Sequence, residues 1–286
     1  MKDVYTKWLV IVLVILWTVT PLYWFLSMAF KTPAEISSFP PSFYPKHPTI
    51  MGLITVLGRQ YVSRTGEVFL PSGQSGQVVR GLLNSFILAA VVTVITMVLV
   101  VPLGYTFGRL EFPHKNKLLF ALLFCVAVPP IVTLIPFFAL FMKLRLTGTL
   151  LGLVIVTLTI TVPFVTWLLS GFFRNVPYVE RLARTDGFSR FETLVMIVIP
   201  MARVGIMVGA IVAFLFSWNE YAFAQILVNG TSATTLPASI SGFLFQHPEP
   251  EHLSAAVLYS MVPPFAVAYL LQRHITKMNI VEPMGR

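Results

Sequence analysis

Glu180–Pro200 reads ERLARTDGFSRFETLVMIVIP, a charged, glycine-broken stretch set between two long apolar runs. It divides at Gly187. On the amino-terminal side Val179, Leu182 and Ala183 fall at i, i+3 and i+4, the spacing of one apolar helical face. Pro177 suits a first helical turn and Gly187 a left-handed helix end. Ser189, with Glu192 three residues on, predicts a capping box opening a second helix. Phe191, Leu194, Val195 and Val198 continue with helical spacing, and Pro200 marks the start of the next apolar run. The stretch predicts helix, glycine turn, helix, lying outside a bilayer. Acidic Glu180, Asp186 and Glu192 interrupt the basic residues. Anionic headgroups repel those carboxylates, so a soluble protein partner fits this mixed face better than a lipid surface does.

The flanking composition fixes the setting. The chain is 56% hydrophobic and only 11% charged, where a soluble domain carries about 25% charged residues. A bilayer core of about 30 Å needs roughly 20 helical residues. Six runs meet that length, near 8–30, 83–107, 118–142, 150–173, 203–228 and 253–273. They lack the period-two alternation of barrel strands, and an open sheet edge cannot be satisfied in lipid. The expectation is an all-α integral membrane protein with six transmembrane helices. The first run is too long for a signal-peptide core and reads as a retained span.

Lysine and arginine distribution orients these spans. Lys2 and Lys7, then Arg109, Lys115 and Lys117, then Arg174, Arg181, Arg184, Arg190 and Arg203, and finally Arg273, Lys277 and Arg286 share one side, whereas the short loops of the other have only Lys143 and Arg145, and 229–252 has no lysine or arginine. The positive-inside rule places both termini in the cytoplasm. The net charge of +9 is then a membrane signature and not one of nucleic-acid binding. Cys125 is the one cysteine, set in an apolar run, and reads as a buried structural thiol without metal-ligand neighbours.

The chain divides into a first helix at 1–30, an extracytoplasmic loop at 31–82 and a five-helix core at 83–286 that includes 177–200. Pro40, Pro41, Pro45 and Pro48 forbid a long helix in the first half of the loop. The second half, near 60–77, reads as a flexible insertion. Pro129, Pro130 and Pro136 are placed to kink or break the third span. Few polar groups lie within the spans. Asn219, Glu220 and Gln225 in the fifth, and Thr157 and Thr161 in the more polar fourth, are candidates for a pathway lining or gate, because intramembrane carboxylates face protein or water. Interhelical hydrogen bonding is the alternative use of the same groups.

The stretch resembles a cytoplasmic motif of the permease subunits of binding-protein-dependent ABC importers: Glu-Ala-Ala, three residues, Gly, nine residues, Ile-x-Leu-Pro. Arg181, Leu182 and Ala183 occupy the first positions, Gly187 follows after three residues, and Ile197-Val198-Ile199-Pro200 after nine. Asp186-Gly187 matches the usual pair. The motif glutamate is replaced by Arg181, with Glu180 one place earlier. FKTPAEI at 30–36, GRLEFP at 108–113, TWLLSGFFRNVP at 166–177 and SWNEYAFA at 217–224 resemble the carbohydrate-uptake, maltose-transporter branch in order and spacing.

The resemblance implies a type I ABC importer permease fold in a multi-pass cell inner-membrane protein. It implies a coupling helix comprising Glu180, Arg181, Leu182, Ala183, Asp186, Gly187, Phe188, Phe191, Ile197 and Pro200, which docks on an ATP-hydrolysing subunit. The implied partners are a homologous second permease, an ATPase dimer and an extracytoplasmic solute-binding protein, besides the bilayer. No GxxxxGK[ST] phosphate loop occurs in these residues, so ATP and magnesium belong to the partner and the chain itself is no enzyme. The implied cargo is a sugar or sugar derivative. A polyol, a glycerol phosphoester or an osmolyte uses the same machinery. A secondary transporter would want inverted repeats and midplane charges, of which Glu220 alone is present.

Overall fold

The computed structural model describes residues 2–63 and 65–276. It opens with α1 (Lys2–Ala29), followed by the short α2 (Pro33–Ile36) and α3 (Met51–Thr55). A two-stranded antiparallel hairpin, β1 (Tyr61–Val62) and β2 (Val68–Phe69), precedes the long α4 (Ser75–Arg109). Next come α5 (Lys115–Ala127), α6 (Pro130–Lys143) and α7 (Leu150–Arg174). The glycine-broken stretch forms α8 (Glu180–Thr185) and α9 (Arg190–Glu192), a π-helix at Thr193–Val198, and α10 (Ile199–Met201). The chain continues through α11 (Arg203–Trp218), α12 (Ala222–Leu227), α13 (Leu236–Ile240), α14 (Gly242–Phe245) and α15 (Pro250–Thr276).

Among the described residues five helical segments are long and apolar enough to cross a membrane, or six if α5 and α6 form one broken span. These two helices meet at 86°. The bend is written in two consecutive proline contacts. Val128 precedes Pro129, and Pro129 precedes Pro130; both take extended conformations, with ψ of 120° and 132°, because a residue before proline is pushed out of the α region. Pro130 then occupies the first turn of α6, where its missing N–H costs nothing. Pro136 stays inside α6 and does not interrupt it, so the break comes from the proline pair alone. Cys125 lies exposed on α5, which corrects the expectation of a buried thiol: the side chain borders an open space and is not packed into the core.

The chain divides into two compact units, Met1–Leu82 with Thr235–Val262, and Leu83–Thr234 with Pro263–Arg286. In the first, the described residues near 60–77 form the β-hairpin and the first turn of α4, where a flexible insertion was expected. Tyr61 and Phe69 pair across it with rings 6.3 Å apart, a cross-strand aromatic contact of the kind that stabilises short hairpins. Gly66 turns the hairpin at a φ of 84°. The Tyr259 hydroxyl donates to the Leu53 carbonyl, Thr55 Oγ1 and His252 Nε2 lie 2.7 Å apart, and the Gln74 amide donates to the Gly242 carbonyl. From Tyr5 to Tyr23, α1 is exposed throughout.

The second unit is organised around α7. Val165, Leu169 and Phe173 are buried with Val100 and Tyr105 of α4, Val198, and Ala213 of α11. Glycines set the spacing on both sides. A Cβ at Gly104 or Gly108 of α4 would come within 2.8 Å of Leu169 or Phe173. One at Gly205 or Gly209 of α11 would come within 2.6 Å of Phe172 or 2.4 Å of Leu169. Each pair is a Gly-x-x-x-Gly face, the small-residue pattern that lets membrane helices approach closely. Thr149 caps α7 by accepting from the Gly152 N–H.

Candidate functional site

Local chemistry builds the segment at 177–200. Helix α8 begins at Glu180, so Pro177 lies before it and not in its first turn. The helix closes in a Schellman arrangement: the Phe188 N–H donates to the Ala183 carbonyl and the Gly187 N–H to that of Arg184. Gly187 carries the required left-handed φ of 88°. The Ser189 hydroxyl accepts from the Glu192 N–H while the Glu192 carboxylate accepts from the Ser189 N–H. This reciprocal box holds the exposed Glu192 carboxyl below the ordinary glutamate range, through the Ser189 hydrogen bonds.

Beyond Glu192 the helix widens. The Ile199 N–H donates five residues back to Leu194, and the wide turn lies just before Pro200. A proline at that position cannot donate to residue 196 and crowds its carbonyl. Ala202, at φ −88° and ψ 5°, separates α10 from α11. The helical spacing read from Phe191 onward therefore holds only loosely: Val198 is buried and Leu194 half-buried, whereas Phe191 and Val195 face outward. On α8, Ala183 is 3% exposed and Val179 packs on the α7 core, but Leu182 is 67% exposed. The apolar i, i+3, i+4 face thus reduces to Val179 and Ala183.

One residue absent from the sequence reading of the site ties this segment down. Arg109, the last residue of α4, is 7% exposed. Its Nε and Nη2 donate to the two Glu180 carboxylate oxygens, each at 2.8 Å. Its Nη1 donates to the Val176 carbonyl and Nη2 to that of Pro177. Its guanidinium lies 4.1 Å from the Tyr178 ring centroid. A planar guanidinium suits this combined fork and stack, and a lysine does not. Burial raises the Glu180 pKa most strongly of any single influence, but the Arg109 hydrogen bonds and charge, together with backbone hydrogen bonds at Glu180 and Val179, outweigh it in sum and hold the carboxyl below the ordinary range. Glu180 thus clamps onto α4, whereas its neighbour Arg181 borders a cavity of ≈ 560 Å³ walled by Tyr105, Arg109, Arg184, Arg190 and Thr193. Gly-Arg at 108–109 was the available signal, as a basic residue at the end of an apolar run.

Of the other candidates, Asp186 caps the end of α8 and Phe188 follows the glycine turn; both face outward, as does Pro200, while Ile197 is half-buried. Asn219 and Glu220 sit at a break between α11 and α12 and not inside a continuous helix. Asn219 Nδ2 donates to the Leu215 carbonyl, and Glu220 Oε1 accepts from the Phe223 N–H at the first turn of α12. Gln225 lies half-buried on α12. Thr157 is buried and donates to Leu153; Thr161 lies 3.0 Å from Thr96 Oγ1 on α4. Thr161 thus ties α7 to α4, while the Thr157 hydroxyl is satisfied within α7. Thr159, on the other side of the helix, borders a cavity of ≈ 180 Å³ with Cys125, Thr133, Phe137 and Phe223. Of the carboxy-terminal basic residues, Lys277 and Arg286 lie outside the described residues.

Residues 100–278 match the family described as binding-protein-dependent transport system inner membrane component. The trehalose transport system permease protein SugB of Mycobacterium tuberculosis is 31% identical over 198 residues, which span 68% of this chain and 72% of that protein. The sulfoquinovosyl glycerol transport system permease protein SmoH of Agrobacterium fabrum is 27% identical over 259 residues, 89% and 85% of the two chains. A chain of a bacterial ABC transporter involved in import of the acidic polysaccharide alginate shares the fold, with a TM-score of 0.77 over 95% of this chain and 96% of its own at 16% identity.

Proposed function

Because the chain belongs to the family of binding-protein-dependent transport inner membrane components, we propose that it is the permease subunit of an ATP-driven importer that carries a sugar or sugar derivative into the cytoplasm. The cargo class rests on the relatives, whose names specify trehalose and sulfoquinovosyl glycerol. An extracytoplasmic binding protein delivers the solute, a second permease completes the pathway, and a pair of ATPase subunits binds ATP and magnesium. Both termini lie in the cytoplasm.

The observation that carries the mechanism is the Arg109–Glu180 clamp. A short helix and the turn that follows it, projecting the exposed Leu182 and Phe188, are keyed at their base to the ends of α4 and α7. Closure of the ATPase pair pulls on the exposed residues, and the clamp passes that displacement into α4 as well as along the chain. Motion then spreads as rigid-body rocking of packed helices, because the glycine-spaced contacts of α7 with α4 and α11 leave little room to deform locally. Glu220 and Thr159, at the helix break and the ≈ 180 Å³ cavity, are the polar groups we place toward the pathway.

Affinity purification of the tagged chain from its native host in mild detergent tests this assembly. Recovery of an ATPase subunit and a different permease, with ATP-dependent uptake of radiolabelled sugar after reconstitution, is the expected result. Recovery of this chain alone, active in uptake driven by an ion gradient, overturns it.

A further inference from the structure

The ≈ 560 Å³ cavity beside α8 has an unbalanced wall. Four arginines, Arg109, Arg181, Arg184 and Arg190, border it with a single carboxylate, Glu180. Both oxygens of Glu180 are held by Arg109, so that pair is closed. Glu192 is engaged by Ser189, and neither it nor Asp186 borders the cavity. The side chains of Arg181, Arg184 and Arg190 make no hydrogen bond or ion pair among the described residues. Arg181 and Arg184 lie three apart on α8 and so share a face; Arg190 approaches from α9, across the Gly187 turn. Three exposed guanidiniums around one concavity focus a positive field that attracts an anion.

The wall also narrows the kind of anion. Guanidinium forks match phosphate oxygens in bidentate geometry. Tyr105 and Tyr178 add aromatic surface, and Thr193 a hydroxyl. The volume lies within the range of about 300–1,000 Å³ typical of small-molecule pockets. The outward-facing apolar residues suited to a protein surface, Leu182 and Phe191, are not in this wall. We propose that the cavity binds a phosphate-bearing anion with a small organic body, either a lipid headgroup or a soluble phosphoester, and that the bound anion bridges α8 and α9. This site is separate from the transported solute; of the residues assigned to ATPase docking it shares Glu180, which Arg109 already holds, and Arg181, which serves both.

The test uses the full chain in phosphatidylcholine nanodiscs, without ATPase subunits, and equilibrium dialysis against radiolabelled inorganic pyrophosphate. One saturable equivalent is expected. The double substitution Arg184→Gln/Arg190→Gln weakens it by about tenfold or more, as the loss of two charge-assisted contacts requires. Lys115→Gln/Lys117→Gln, at basic residues outside the cavity wall, changes it by less than about twofold, since Lys115 is already paired with Glu111 and charges that do not touch the anion are screened. Arg190→Gln alone gives the same direction of effect if the double variant fails to elute as a folded particle. Native mass spectrometry from phosphatidylglycerol nanodiscs separates the sources. A retained phosphatidylglycerol lost in the arginine variant identifies the headgroup; none retained, with pyrophosphate still bound, identifies a soluble phosphoester. Both outcomes support the site. Absence of saturable pyrophosphate binding and of retained lipid overturns it, as does equal weakening by the lysine and arginine variants. If the arginine variant instead loses only the co-purifying ATPase, the cavity receives acidic side chains of that protein and the proposal fails. Because binding is read without transport, its failure leaves the permease assignment untouched.

Discussion

Replacing Arg109 with alanine isolates the clamp. The Arg109 side chain is 1% exposed and that of Glu180 20%. Removal leaves Glu180 partly buried without a counter-charge and deprives the Val176 and Pro177 carbonyls of their side-chain donor. Breaking one side of a buried pair costs about 3–5 kcal/mol. The residual exposure of Glu180 argues for the low end, about 3 kcal/mol, which corresponds to roughly a hundredfold change in a local opening equilibrium. Hydrogen exchange by mass spectrometry in nanodiscs reads it directly. Amides that close α8, such as Ala183, Asp186 and Phe188, are expected to exchange about a hundredfold faster up to the limit of their own protection, while the middle of α7 is unchanged. Arg109→Lys should recover only part of the protection, since an ammonium cannot fork onto two oxygens and two carbonyls together. The pH dependence has a definite sign. The Glu180 carboxyl is held below the ordinary glutamate range, so its contribution is complete above that range and is lost as pH falls through it toward the depressed value. Unchanged exchange at residues 180–188 in Arg109→Ala would refute the clamp.

Three further substitutions probe other parts of the argument. Gly187→Val is expected to abolish ATP-dependent uptake without loss of membrane insertion: nothing lies within 4 Å of a Cβ there, so the whole cost is the left-handed φ of 88°, about 1–2 kcal/mol, and an uptake assay showing normal transport would remove the turn from the mechanism. Gly209→Leu should lower thermal stability in detergent, because even a Cβ meets Leu169 at 2.4 Å and overpacking costs about 1–3 kcal/mol or more; an unchanged melting temperature contradicts the packing. Thr161→Val removes one hydrogen bond to Thr96, worth about 0.6 kcal/mol between membrane helices, and should leave sugar uptake within about twofold, whereas a collapse of uptake at normal stability would place Thr161 in the pathway.

What could be read in advance was what local chemistry decides. The capping box of Ser189 and Glu192 and the left-handed Gly187 depend on residues within a few positions of each other, and both stand as the spacing predicts. The long apolar runs are likewise a matter of composition. Longer-range choices were hidden. Nothing around Leu182 announces that it faces out while Ala183 faces in, because that is set by where α7 lies. The fate of Arg109 depends on a glutamate 71 residues away. The prolines at 129, 130 and 136 all looked capable of breaking a span, yet only consecutive prolines force successive residues into extended backbone. The Gly-x-x-x-Gly faces on α4 and α11 are visible as spacing, but the helix they meet is not, and the exposure of Cys125 is not legible because an apolar neighbourhood in sequence does not say whether lipid or protein covers a side chain.

The separation of Arg109 from Glu180 has a consequence for biogenesis. Their pairing closes a chain segment that contains α5, α6 and α7 in full. A ribosome-bound chain that has emerged only as far as α7 carries the guanidinium but not its carboxylate. Arg109 must therefore stay in the hydrated interface while three more helices are threaded, since an unpaired cation is costly to bury. Helix α4 can settle to its final depth only once the glutamate arrives, which makes the ion pair a late latch on insertion. A chain truncated just before Glu180 should expose the end of α4 to proteolysis, and completion of α8 should close that site.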